Sequence, residues 1–251
     1  MWGIIPAAGE GKRIQPLAFS KELLPIGCDQ SEERKKPRAV SDFIVERLVI
    51  GGTKKICFVI SPNKCDILRY HGCARAGTLF VYLVQPHPLG LCDAVFRPIE
   101  VIPEGEQVLI GLPDTIWFPA DGFRRLPDEV LSFLLFPVAA PEHFDAVVLD
   151  AEGAVRAIEV KQKNATTNWI WGAIKMSTAI YRDLHRLWIE RERKDEFLGT
   201  LINAWIAKGG RGYGFREGSD YLDVGTVDGF HLAFSQLMAR QSGETVPQQE
   251  E

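Results

Sequence analysis

The apolar run Trp2–Pro6 leads directly into Ala7-Ala8-Gly9-Glu10-Gly11-Lys12-Arg13, and a further cation, Lys21, follows eight residues after Arg13. Glycines permit tight turns and let a backbone approach a ligand closely. Successive backbone N–H groups in such a turn point the same way and form a nest for an anion. Lys12, Arg13 and Lys21 add side-chain positive charge, and the combination suits a triphosphate. Two other glycine loops are excluded. A P-loop needs G-x-x-x-x-G-K-S/T, but Gly11-Lys12 is followed by Arg13. A dinucleotide fingerprint needs a third glycine where Ile14 stands. Taken alone, Gly9-Glu10-Gly11 requires no more than a tight strand-to-helix turn.

The longer string carries more. Ile5-Pro6-Ala7-Ala8-Gly9-Glu10-Gly11-Lys12-Arg13-Ile14-Gln15-Pro16-Leu17, followed by Ser20-Lys21-Glu22-Leu23-Leu24-Pro25-Ile26, resembles the signature of the sugar-1-phosphate nucleotidyltransferases, in particular the glucose-1-phosphate thymidylyltransferase group. That signature reads roughly A-G-x-G-T-R-L-x-P-L, then P/S-K-x-L-L-P. Lys12 departs from it, where the family usually has Thr, and Glu22 stands where thymidylyltransferases often have Gln. Val84-Gln85-Pro86-His87-Pro88-Leu89-Gly90 is similar to the family's base-recognition segment. A Gln amide both donates and accepts, which fits the edge of a pyrimidine. Leu109-Ile110-Gly111-Leu112-Pro113-Asp114 resembles the L-x-G-D element, and Tyr221-Leu222-Asp223-Val224-Gly225-Thr226 resembles W/Y-x-D-x-G-T.

The resemblance implies Mg²⁺ on Asp114 and Asp223, Arg13 and Lys21 as catalytic cations, and nucleotide contacts from Ala8, Gly9, Gly11, Gln85 and Gly90. Two hard carboxylates completed by phosphate oxygens and water satisfy Mg²⁺. Lys161, in Glu159-Val160-Lys161-Gln162, takes the place of the lysine that holds the sugar phosphate. Val160 replaces a Glu that contacts sugar hydroxyls, and Asp145 replaces a Gly beside the sugar; Gly172 is counted with these acceptor residues.

The implied reaction joins a nucleoside triphosphate, dTTP or UTP, to a sugar 1-phosphate and releases pyrophosphate. Two alternatives stand beside it. One is the same chemistry with CTP or with a non-glucose or non-sugar phosphate; the other is a non-catalytic nucleotide-binding homologue. The expected partners are a nucleoside triphosphate and a phosphorylated small molecule, with neither nucleic acid nor membrane. Assembly into a homo-oligomer is compatible with this reading.

The elements that must position these residues follow from hydrophobic periodicity. Strands are expected at Trp2–Pro6, Lys55–Ser61, Leu79–Val84, Gln107–Gly111, Phe144–Leu149, Val155–Val160, Ile170–Met176, Tyr213–Arg216 and Tyr221–Asp223. Helices are expected at Phe43–Ile50, Ala179–Arg193, Phe197–Ala207 and Asp228–Arg240. Strands alternating with helices predict an α/β fold: one Rossmann-like three-layer sandwich around a mostly parallel sheet, of the nucleotide-diphospho-sugar transferase type. The expected domain covers residues 1–240, with a polar, disordered tail at 241–251. The charge-dense Asp29–Arg38 reads as a mobile surface loop.

Composition agrees. The 251 residues are 46% hydrophobic and 25% charged, with a net charge of -4, so any polyanion must be held by a local basic cluster and not by the overall field. Five cysteines without C-x-x-C spacing read as reduced thiols of a cytoplasmic protein. The first apolar run is too short for a signal peptide, and no stretch approaches 18 apolar residues.

Overall fold

The computed structural model describes residues 1–29 and 36–242. In chain order the strands are β1 (Trp2–Pro6), β2 (Pro25–Asp29), β3 (Lys36–Ala39), β4 (Lys55–Ile60), β5 (Ala74–Arg75), β6 (Thr78–Val84), β7 (Gln107–Gly111), β8 (Thr115–Phe118), β9 (Leu131–Pro137), β10 (Asp145–Leu149), β11 (Val155–Val160), β12 (Trp169–Ser177), β13 (Gly212–Phe215) and β14 (Asp220–Asp223). The helices are α1 (Val40–Ile50), α2 (Cys65–His71), α3 (Gly90–Phe96), α4 (Thr178–Glu190), α5 (Leu198–Ala207) and α6 (Val227–Ser242).

One large sheet runs β11-β10-β12-β7-β1-β4-β6-β5, with β9 paired to β12 and β13 to β9. Its centre, β7-β1-β4-β6, is parallel. Antiparallel β12 beside β7 begins the other wing. The parallel centre explains the sequence texture: Ile56–Ile60 is apolar without alternation because both faces are covered. Neighbouring residues of one strand feed opposite cores. Ile4, Ile110 and Ile174 meet Phe96, Leu184 and Leu201 on the face covered by α3, α4 and α5. Ile5, Leu109 and Ala173 meet Ile44, Val45 and Leu48 of α1 on the other face. This period of two, buried on both sides, makes the three-layer sandwich that the strand–helix alternation predicts.

Several expectations are extended or amended. Helix α1 starts three residues before the expected Phe43, because Asp42 Oδ2 accepts the Ala39 N–H at 2.9 Å and satisfies its first turn. The charge-rich Asp29–Arg38 is not wholly loop: β2 and β3 pair antiparallel across it, and Ile26 beneath the hairpin is fully buried with Ala233 and Leu237 of α6. Backbone pairing of short strands leaves no mark in a charged stretch; residues 30–35 lie outside the described residues. Helix α6 continues to Ser242, two residues into the expected tail, and residues 243–251 also lie outside the described residues. Strand β9 is an almost continuous apolar run that the expectations above do not include, while β8 and helices α2 and α3 carry patterns too short for periodicity to assign. No helix among the described residues is long and apolar enough to cross a membrane.

Two small devices aim the fold at its site. β8 pairs with β14 in a separate antiparallel ribbon. Arg47 of α1, itself buried, holds that ribbon by donating to the Trp117 carbonyl from Nε at 2.8 Å, and it is steadied by a bond to the Phe43 carbonyl of its own helix at 2.9 Å. On the opposite wing, Asn203 of α5 accepts the Ile158 N–H at 2.7 Å and donates to the Ile158 carbonyl at 2.8 Å, locking α5 to β11.

Candidate active site

The loop after β1 begins at Ala7, whose N–H still bonds the Val59 carbonyl at 2.8 Å, and turns at Gly11, where Ile14 N–H bonds back to the Gly11 carbonyl at 3.0 Å. Gly11 has φ +68°, and a Cβ there would lie 2.9 Å from Lys21 Cδ. Glycine is therefore required twice: for the backbone conformation and for the passage of the Lys21 side chain. A Cβ on Gly9 would meet nothing within 4 Å. Gly9 faces the open side of a cleft of about 490 Å³ lined by Ala8, Gly9, Gly11, Arg13, Lys21, Gln85 and Gly90.

The acids arrive from the β8–β14 ribbon. Asp223 is paired with Thr115 in that ladder, and Val224 N–H bonds the Asp114 carbonyl at 2.9 Å, so the two aspartates sit side by side although 109 residues separate them. A Cβ on Gly225 would lie 2.9 Å from Asp223 Oδ1, 3.1 Å from Asp114 Oδ2 and 3.1 Å from an Arg13 guanidinium nitrogen. All three functional groups therefore converge on one point that glycine leaves bare. Lys21 Nζ is ion-paired to Asp114 Oδ2. Arg13 lies 3.5 Å from Asp223 Oδ2, and Gly225 N–H donates to Asp223 Oδ1 at 2.8 Å.

Burial and charge set the protonation of this cluster. Burial pushes the Asp114 carboxyl up, but the Lys21 ammonium beside it holds its pKa below the ordinary value. Burial works against the Lys21 charge, and Asp114 more than offsets it, so the Lys21 pKa is raised. Asp223 is raised, by burial first and then by the neighbouring Asp114 charge. Two carboxylates on one point, with room for phosphate oxygens and water, fit a Mg²⁺ ion. Among the described residues, no group of three or more His, Cys, Asp or Glu side chains offers a competing metal site.

At the base end, Gln85 is buried, and its Nε2 donates to the Gly90 carbonyl at 3.1 Å and to Asp93 Oδ2 at 2.8 Å. Asp93 is in turn forked by Arg97. Gly90 has φ +91°, and a Cβ there would lie 2.9 Å from the Glu196 carbonyl oxygen, which accepts the Leu91 N–H at 2.9 Å. Glu196, which no sequence pattern marked, thus closes this end of the cleft.

The remaining expected residues stand apart from the cleft wall. Asp145 and Val160 are direct partners in the β10–β11 ladder. Asp145 Oδ2 accepts from Trp171 Nε1 at 3.3 Å, and burial raises the Asp145 pKa against the opposing effects of Trp171 and Lys161. Lys161 Nζ lies 4.4 Å from the centroid of the Phe197 ring. Phe197 follows Glu196, so this group adjoins the cleft without lining it. Gly172 serves packing: a Cβ there would lie 2.6 Å from the rings of both Phe136 and Tyr221. A larger cavity of about 780 Å³ lies between α4 and the end of α5, but its charged residues are largely engaged with each other, as in Arg186–Asp183 and Lys208–Glu190.

Lys64 and Asp66 were also invisible in the sequence. Lys64 Nζ bonds the Ala7 carbonyl at 2.9 Å, the Gly9 carbonyl at 2.7 Å and Glu22 Oε1 at 2.7 Å. Asp66 accepts the Ser20 N–H at 2.7 Å and its hydroxyl at 2.6 Å. Their partners lie 42 to 57 residues away, a separation no local pattern encodes.

The fold is shared with solved structures. A putative glucose-1-phosphate thymidylyltransferase from Bacillus anthracis, in complex with a sucrose, superposes with a TM-score of 0.78 at 21% identity, covering 94% of this chain and 95% of that one. A UTP-bound UGPase from Acinetobacter baumannii gives 0.73 at 17% identity, covering 95% and 93%. No curated protein matches by sequence. The profile described as nucleotidyl transferase matches residues 2–240, nearly the whole chain. The chain belongs to the nucleotidyl transferase family.

Proposed function

We propose that the protein is a Mg²⁺-dependent pyrophosphorylase that joins a nucleoside triphosphate to a sugar 1-phosphate. The observation that carries this reading is the convergence of Arg13, Asp114 and Asp223 on the bare Cα of Gly225, beside the Gly9–Gly11 loop. A phosphate oxygen of the acceptor attacks the α-phosphorus of the nucleotide; the bond to the bridging oxygen breaks and pyrophosphate leaves with the electron pair. No covalent enzyme intermediate is needed, so the protein's part is positioning and charge stabilisation. Arg13 has a forked guanidinium suited to two phosphate oxygens, and Lys21 is a point charge beside it. Asp114 and Asp223 would hold Mg²⁺, which when bound neutralises charge on the phosphates.

Gln85 supports a uracil or thymine base. Both hydrogens of its amide are engaged by Gly90 and Asp93, which leaves Oε1 as an acceptor for a base N–H. Uracil and thymine present N3–H, flanked by carbonyl oxygens, to such an acceptor, whereas cytosine has no N3–H and offers only its exocyclic N4 amine. The test is pyrophosphate release with each nucleoside triphosphate, Mg²⁺ and a panel of sugar 1-phosphates. Release is expected with UTP or dTTP and is expected to disappear in folded Arg13→Ala and Asp223→Ala proteins. Full activity of a folded Asp223→Ala protein refutes the metal assignment.

Asp145 and Val160 favour a second reading of the acceptor alone. A half-buried carboxylate where a glycine is usual adds an acid beside Lys161, and an acceptor carrying an amine could pair with it. An unaltered preference for glucose 1-phosphate over amino-sugar phosphates in the same panel rejects this reading.

A further inference from the structure

The buried pair Lys64–Glu22 lies behind the glycine loop, on the side away from the cleft. Lys64 is 7% exposed and Glu22 1% exposed. A buried ion pair is weak support for stability, since desolvation of both charges consumes most of the attraction. Its hydrogen bonds point elsewhere. The ammonium reaches the carbonyls of Ala7 and Gly9 together with both carboxylate oxygens of Glu22, the latter at 2.7 and 2.9 Å. The Ala7–Ala8 and Gly9–Glu10 peptides are trans. In a trans peptide the C=O and N–H point in opposite directions. Drawing the Ala7 and Gly9 oxygens inward to Lys64 therefore turns the N–H groups of Ala8 and Glu10 outward, on the side where the cleft lies.

The second half of the device fixes Lys21. Glu22 follows Lys21 directly and is held by Lys64; Ser20 precedes it and is held twice by Asp66. Lys64 and Asp66 are the residue before α2 and the second residue within it. One short segment thus clamps both neighbours of Lys21 and two peptide planes of the glycine loop.

We propose that Lys64, with Glu22 as its counter-charge, is the positioning residue that orients the anion-binding N–H groups of the glycine loop and sets Lys21 beside them. This rests on the nucleotide reading given above for what the loop binds, while the ordering of the loop itself does not. Hydrophobic replacement of Lys64 alone leaves Glu22 as an unpaired buried acid, so the informative variant removes both charges. Lys64→Met/Glu22→Met keeps the volume and removes both charges, so it is expected to fold, with a Tm lowered by the two orphaned carbonyls and not by an unpaired buried charge. It leaves the Ala7 and Gly9 carbonyls without a donor.

Two measurements follow on this variant. In the ligand-free protein, backbone ¹⁵N order parameters of Ala8–Gly11 are expected to fall from the rigid range of about 0.85 to below about 0.6. In calorimetric titration with UTP and with dTTP in Mg²⁺, Kd is expected to rise at least tenfold for whichever binds, with KM rising in step. Unchanged order parameters in a folded double variant overturn the proposal, and so does nucleotide affinity within twofold of the native value. A native chain that binds neither nucleotide refutes the nucleotide reading, and the order parameters then decide the positioning role by themselves.

Discussion

Lys21 and Asp114, 93 residues apart, form an ion pair at the centre of the site, and each side chain is only about one-seventh exposed, at 13% and 15%. Asp223, on the neighbouring strand, is paired more loosely: among the described residues its ion-pair partner is Arg13, at 3.5 Å. The Lys21 ammonium holds Asp114 below its ordinary pKa, while burial and then the Asp114 charge raise Asp223 above it. In this arrangement the Lys21 ammonium neutralises the Asp114 charge that would otherwise attract a divalent cation.

Lys21→Met therefore separates two roles. Removing the competing charge is expected to tighten Mg²⁺ binding by roughly tenfold, equivalent to about 1.4 kcal/mol. Turnover is expected to fall by roughly a hundredfold or more, as for loss of one preorganised donor to a transferring group. A Mg²⁺ titration followed by calorimetry, beside the pyrophosphate assay, measures both; weaker Mg²⁺ binding in Lys21→Met contradicts the competition.

Gly225→Ala tests the convergence point. The backbone there lies outside the left-handed region, so the added methyl has no conformational cost of its own. It is placed within about 3 Å of Asp223, Asp114 and Arg13. The expected result is a fold and Tm close to the native values, with a Mg²⁺ requirement shifted at least tenfold upward. A large drop in Tm with normal Mg²⁺ dependence assigns Gly225 to packing alone.

Arg47 links helix α1 to the ribbon that carries the acids. Its burial pushes the guanidinium pKa down to about 10, against the opposing charge of Glu46, and its hydrogen bonds end on the carbonyls of Trp117 and Phe43. Arg47→Met leaves both carbonyls without this donor, and a loss of about 2–4 kcal/mol is expected in urea unfolding. Because Trp117 is on β8, activity is expected to fall further than the folded fraction accounts for. Equal losses confine Arg47 to stability.

His71 gives the chain an acid-side weakness. Its ring is stacked on Phe58 at 4.8 Å, Nε2 lies 2.9 Å from Ser41 Oγ, and Nδ1 is 3.9 Å from Asp42 Oδ1. Burial pushes its pKa from 6.5 down to about 4; Asp42 opposes the shift and Arg75 adds to it. The folded state resists protonation more than the unfolded state does. The stability is therefore complete above about pH 6.5 and is lost as pH falls toward 4, by up to about 3 kcal/mol. Unfolding free energies measured from pH 7 to 4 are expected to fall less steeply in His71→Gln than in the native chain. Parallel slopes place the acid sensitivity in other groups.

Much of this protein is encoded locally. Trp2–Pro6 is a strand because five consecutive residues suit a sheet buried on both faces, and the loop that follows needs glycine at position 11 for its positive φ. Those are short-range demands, and the roles expected of Arg13, Lys21, Asp114 and Asp223 come from residue type and motif. Tertiary structure alone decided which groups meet. The antiparallel β8–β14 ladder makes neighbours of Asp114 and Asp223, the Lys21 ion pair lowers the Asp114 pKa while burial raises that of Asp223, and Lys64 reaches back across 57 residues to the Ala7 carbonyl. Tertiary structure also moved Gly172 into a packing contact with Phe136 and Tyr221 and set Asp145 against Trp171. The physical reason is range. Turn geometry and hydrophobic period act over a few residues, while ion pairs, hydrogen bonds and desolvation depend on atoms that only the folded chain brings within a few ångströms.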